Sequence, residues 1–172
     1  GPRGRYPGMG QPAAILELMA GDAPAAERIM REAHEILNSA GERGFLSTVS
    51  ALLGLALARQ GRYDEADRFA DESREAGSDD DVVTQIYWRI VKARVEAAKG
   101  DLDAAARLAA DVVELTNRTD DTFDGPLALM DVVDFLDPAR RRPVLERALA
   151  ETAGKGNVVS AEQIRAKLAA LP

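Results

Sequence analysis

The stretch "QGRYDEADRFADES", Gln60–Ser73, decides how this chain is read. Gly61 suits a tight turn between two helices, because glycine enters the left-handed conformation without a Cβ penalty. Tyr63 follows as a ring that wedges the next helix, and Ala66 as a small residue that lets two helices approach. The same grammar recurs in "GDAPAA", Gly21–Ala26, and in "GDLDAA", Gly100–Ala105. These glycines stand 40 and 39 residues apart, each five residues before an alanine that begins an apolar helical stripe. A period in this range belongs to arrays of stacked helix pairs.

Outward from these turns the apolar periodicity predicts helices over 11–20 and 23–39, 46–60 and 63–76, 81–99 and 102–117. A less regular pair follows at 126–136 and 139–153, and a last helix at 161–170. Asp22 and Asp101 are N-cap candidates, Pro24 fits a first turn, and Ser160-x-x-Gln163 reads as a capping box opening the last helix. That helix is placed to cover the end of the stack. The expected fold is all-α: a right-handed superhelix of about four antiparallel helix pairs plus a C-terminal capping helix.

Composition agrees with helices and narrows the function classes. Aromatics are 5% of the 172 residues, too few for the sheets that such residues favour, and no hairpin signal separates alternating runs. There is no cysteine, which excludes disulfides and thiolate metal sites and fits a cytoplasmic setting. Basic residues number 22 against 29 acidic, a net charge of -7, where a nucleic-acid binder carries a basic face. No apolar run approaches the ~20 residues of a membrane span. "GPRGRYPGMG", residues 1–10, is too rich in glycine and proline to pack and reads as a flexible leader, leaving 11–172 as one repeat domain.

The residues "STVSALLGLALARQGRYDEADRFA", Ser47–Ala70, resemble a tetratricopeptide repeat. Ser50, Leu53-Gly54 and Leu57 stand where that family usually has Trp, Leu-Gly and Tyr, and Ala66-x-x-x-Ala70 follows. Phe69 comes one place early, and Ser78 stands where a proline would end the unit. In the next repeat Ala93, Gly100, Leu102 and Ala105 match, with Trp88 offset by one residue. The longer period and the phrases "GERGFLSTVSALL" and "GKGNVVSAEQIRAKL" resemble the C-terminal repeats of large bacterial cyclase/ATPase signalling proteins. Similar repeats occur in ATPase-type transcriptional activators. The resemblance implies a regulatory or protein-interaction module without chemistry of its own, binding a protein or peptide segment, including other domains of the same chain. The alternative it leaves open is a small-molecule-responsive sensor module of a transcriptional activator.

Clusters that could carry chemistry are sparse. His34 is the only histidine, which removes metal clusters and dyads needing two, and it reads as a packed or half-exposed helix residue. "TAGKGN", Thr152–Asn157, lacks the first glycine and the Ser/Thr of a phosphate loop and reads as a helix stop. Asp120, Asp124, Gly125 and Asp131 fall at four places of an EF-hand loop, but Thr122 and the short Asp131 occupy two ligand positions badly. The simpler reading is a helix starting at Gly125-Pro126, so no metal or other cofactor is expected. Arg140–Arg142 puts three cations at a helix start, which hints at an acidic contact such as Asp134 or Asp137, or at a partner.

For the groove, Tyr87, Ile90, Arg94 and Ala98 recur at helical spacing. By resemblance to the family this stripe faces the concave side, with Thr48, Leu55 and Arg59 from the repeat before. Two arginines and a tyrosine among apolar residues suit a segment carrying a carboxylate. The competing reading is structural: Arg94 pairs with Glu96 or with an acid of a neighbouring repeat, and Tyr87 packs between repeats.

Overall fold

A computed structural model of the chain describes residues 10–118, 125–153 and 158–172. Among the described residues there are nine α-helices and no strand. They are α1 (Gly10–Ala20), α2 (Ala23–Ala40), α3 (Leu46–Arg59), α4 (Tyr63–Ala76), α5 (Val82–Lys99), α6 (Leu102–Thr116), α7 (Gly125–Val132), α8 (Pro138–Ala153) and α9 (Val158–Ala169). A 3-10 turn, Val133–Phe135, follows α7. By internal packing the chain forms two compact units, Gly1–Val91 and Lys92–Pro172, with the boundary inside α5. Of the expected leader only Gly10 is described, as the first residue of α1.

The recurring glycines do what the turn requires. Gly21, Gly61 and Gly100 have φ of 86°, 76° and 90°, and each closes its helix by the same pair of bonds. The glycine N–H donates to the carbonyl three residues back (Leu18, Ala58, Ala97), and the next N–H to the carbonyl five residues back (Glu17, Leu57, Glu96). This Schellman closure satisfies carbonyls the helix end leaves orphaned and reverses the chain within two residues. Gly41, at φ 67°, ends α2 in the same way. Two of the following helices are then started by aspartate: Asp22 accepts from the Ala25 N–H, and Asp101 from the Ala104 N–H, both at 2.9 Å. At the Gly61 turn the cap position is Arg62, and Asp64 and Glu65 in the first turn oppose the helix dipole instead.

In the first unit α1 packs on α2, α2 on α3 and α3 on α4, with α1 also touching α3. Ala26 and Ala66 are fully buried. α3 is the centre of the unit: from Leu46 to Ala58 only Thr48 keeps partial exposure. Close approach explains its small residues. A Cβ on Gly54 would lie 3.2 Å from the Ala66 carbonyl and 3.4 Å from Val91. Gly77, at the end of α4, has no unusual φ but no room either, since a Cβ there would stand 3.0 Å from the Ser73 carbonyl.

In the second unit α6, α7, α8 and α9 pack in sequence, and α9 also reaches α7. Three boundaries differ from expectation. The helix expected over 126–136 stops at Val132 and tightens into the 3-10 turn, after which Leu136 is extended. α8 begins at Pro138, with the Asp137 carboxylate accepting from the Ala139 N–H at 2.9 Å, and it contains Pro143, which removes one ladder bond. α9 begins at Val158, two residues before the proposed box, so Ser160 lies inside the first turn rather than capping it. The acidic loop 120–124 and residues 154–157 of "TAGKGN" lie outside the described residues.

The α3–α4 crossing supplies a direct test of this packing. Replacing buried Ala66 with Phe overpacks the contact and is expected to cost about 1–3 kcal/mol in urea unfolding, with helicity by circular dichroism retained.

Candidate functional site

The positions expected to line a groove are distributed between core and structural bonds. Leu55, Tyr87 and Ile90 are fully buried, so they present no surface to a partner. This corrects the expected stripe at those three positions: helical spacing places residues on one face, but Tyr87 and Ile90 are covered by packing while Ala98 further along α5 is exposed. Thr48 is half-buried, and its hydroxyl lies 2.8 Å from the Thr84 hydroxyl. Thr84 gives its own proton to Asp81 at 2.7 Å, so Thr48 must be the donor between the two threonines. Asp81 in turn accepts from the Thr84 N–H and starts α5.

Both arginines are held by neighbouring helices. Arg59 donates from Nη1 to the Leu18 carbonyl in the last turn of α1, at 2.5 Å, where a cation complements the helix dipole. In the second unit Arg94 donates to Asp131 on α7 at 2.5 Å, and the Asp131 side chain is almost wholly buried. Arg94 therefore follows the structural reading, with the acid supplied by the next helix pair rather than by Glu96. Asp131 sits inside α7 with its carboxylate on that arginine, which is not the placement of a loop ligand. Among the described residues no group of three or more His, Asp or Glu is arranged to hold a metal ion.

Two residues of the arginine run, Arg140 and Arg141, have partners near the start of α8. Arg141 donates to the carbonyls of Leu136 and Asp134, 3.0 and 3.1 Å away, and so closes the 3-10 turn. Arg140 forms a loose ion pair with Glu114, 3.7 Å apart. The Asp134 carboxylate goes to Lys167 on α9 instead, at 2.6 Å. Arg147 binds the side chains of Thr116 and Asn117 at the end of α6.

Two polar clusters in the first unit were not foreseen. His34 on α2 has its Nε2 2.7 Å from Glu72 on α4, and the same carboxylate oxygen accepts from buried Ser50 on α3 at 2.7 Å. Glu72 is an acceptor, so Nε2 carries the proton; the ring edge meets Phe69 with centroids 5.2 Å apart. The second cluster joins α2 to the start of α4. Glu27 accepts from Arg31, Gln60 and Arg62, and Glu65 from Arg31 and Arg62, over 2.7–3.2 Å. The i,i+4 pair Glu27/Arg31 was visible in the sequence, but its meeting with Arg62 depends on the turn at Gly61.

Burial works against the charge of Glu27, but hydrogen bonds from Gln60, Arg31 and Arg62 outweigh it and hold the carboxyl below its usual value. The Glu65 carboxyl is lowered too, chiefly by its bond from Arg62, and the Arg62 guanidinium is raised chiefly by Glu65.

Comparison with known protein families and with curated protein sequences finds no match for this chain. Among the described residues no helix is long and apolar enough to cross a membrane.

Two outcomes follow from the charges. A carboxylate with a lowered folded-state pKa binds fewer protons folded than unfolded, so its contribution is present above the unfolded value and fades as pH falls through the folded one. The melting temperature should therefore drop as pH falls from about 5 through the lowered Glu27 value, and Glu27→Gln should flatten that drop while lowering the value at pH 7. Arg94→Ala leaves Asp131 buried without its cation and is expected to cost about 3 kcal/mol in urea unfolding; adding Asp131→Leu should restore much of the loss.

Proposed function

We propose that the chain is a TPR-like repeat module, a right-handed superhelix that binds a protein or peptide segment as the regulatory part of a larger bacterial cytoplasmic signalling protein. The observation that carries this reading is the recurrence of one turn. Gly21, Gly61 and Gly100 share a positive φ and the same two closing bonds at 40- and 39-residue spacing, and each leads to a buried alanine at 26, 66 and 105. Identical turns impose the same reversal at three successive places, and helix pairs that stack on their neighbours make an extended surface rather than an enclosed cleft. Such a surface suits an extended or helical segment of another protein.

With Leu55, Tyr87 and Ile90 in the core, recognition falls to side chains at the margins of the first helix of each pair. Thr48 and Arg59 keep partial exposure on α3 and remain the accessible positions from the expected set in the first unit.

The test is titration calorimetry of the full chain against the separately expressed remaining domains of its parent polypeptide. Saturable one-to-one binding at a Kd of ~10 μM or tighter is expected, about 7 kcal/mol. No heat and no co-sedimentation at several hundred micromolar would remove the interaction reading.

A further inference from the structure

α1, "GQPAAILELMA", is apolar on nearly every side. Its Ala14, Ile15, Leu18 and Met19 are buried, while Ala13, Leu16 and Ala20 form an exposed stripe, with Leu16 at 55% exposure. A lone exposed leucine is ordinary, but a helix apolar all round belongs in an interior. The second repeat shows what such a face is for. Forty residues on, the same positions of α3 are Leu53, Ala56 and Gln60. Leu53 and Ala56 are 1% and 0% exposed. The helix beside them is α2: it packs along α3, and its Glu27 accepts from Gln60 at 2.8 Å. The second helix of the preceding pair thus covers on α3 the face that is bare on α1.

We infer that the Ala13/Leu16/Ala20 face of α1 docks the second helix of a further repeat, seated on α1 as α2 is seated on α3. The occupant is an amphipathic helix presenting small and unbranched apolar residues, the character of the buried α2 stripe Ala26, Met30, Ala33 and Leu37. Its first turn differs from α2 in one respect. Glu27 of α2 meets Gln60 and Arg62, whereas the equivalent places beside α1 are Ala20 and Asp22. An acid there would lose both donors from across the turn and would face a carboxylate instead, so the occupant carries a neutral or basic residue at that position. The inference rests on the equivalence of α1 and α3, and its failure would leave the binding activity proposed above untouched.

The experiment extends the chain by its own register. A second copy of residues 21–45, carrying Glu27→Gln in the copy, is fused ahead of Tyr6. The absence of cysteine makes Leu16→Cys a clean thiol reporter, compared in the extended and unextended chains. Docking predicts that thiol labelling slows at least tenfold on extension, that the melting temperature rises by roughly 4 °C, and that Leu16→Glu abolishes the rise. An added segment that stays unstructured, or labelling at the unextended rate, overturns the inference. Sedimentation showing a dimer of the unextended chain that Leu16→Glu dissolves also overturns it, by assigning the face to a second copy.

Discussion

The fold depends on a backbone conformation that only a few residues take readily. At Gly21, Gly61 and Gly100 the chain must enter the left-handed region for a single residue, so that two N–H groups turn back onto the last helical carbonyls. In the first unit that closure lets α2 pack back on α1 and α4 back on α3. The space between the two helices of a pair is then set by side-chain size. Ala26 and Ala66 are buried where the pairs cross, and Gly54 meets the Ala66 carbonyl with no room for a Cβ. Turn and small residue act together: the first fixes the direction of the second helix and the second fixes its distance.

That pairing explains why helix positions were legible in the sequence. Gly61 with Ala66, Asp22 with Pro24, and Asp101 each name a local event whose geometry involves a few adjacent residues. α4 runs from Tyr63 to Ala76 as expected, and α2, α3, α5 and α6 agree within about a residue at each end. The misreadings fall where local signals compete with packing. Ser160-x-x-Gln163 has the spacing of a capping box, yet α9 already runs through Ser160 from Val158. The apolar periodicity of 126–136 continues past Val132, but the backbone tightens there, and Arg141 takes the carbonyls of Asp134 and Leu136.

The expected groove was less legible for a physical reason. Helical spacing states that Tyr87, Ile90 and Arg94 lie on one side of α5, but not whether that side meets solvent or protein. In a stacked array the first helix of an inner pair has neighbours on several sides, and α3 is buried nearly all round. Leu55 differs from an exposed groove residue in nothing that its own sequence neighbours encode. The same reasoning applies in reverse to α1, whose bare face is recognisable only by comparison with α3. His34 gave half of its story: its partial burial followed from the helix pattern, while Glu72 and Ser50 could be found only through the packing of α2, α3 and α4.

The polar side chains show what holds successive pairs in register. Ser50–Glu72 links α3 to α4 across 22 residues. Apart from the short-range closure of the 3-10 turn by Arg141, the other side-chain hydrogen bonds described between helices join residues 30–41 apart: Arg59 to Leu18, Gln60 and Arg62 to Glu27, Arg31 to Glu65, His34 to Glu72, Thr48 to Thr84, Arg94 to Asp131, Lys167 to Asp134 and Arg147 to Thr116 and Asn117. Separations this close to the repeat length mean that each bond reaches a neighbouring pair and none reaches two pairs away. Apolar stripes of alanine and leucine would tolerate a slip of one helical turn, since one small residue replaces another. A charged group cannot slip so cheaply, because moving Arg94 one turn along separates the buried Asp131 carboxylate from its cation. Thr48, Arg59 and Arg94, all expected at the groove, each take part in one of these bonds between helices.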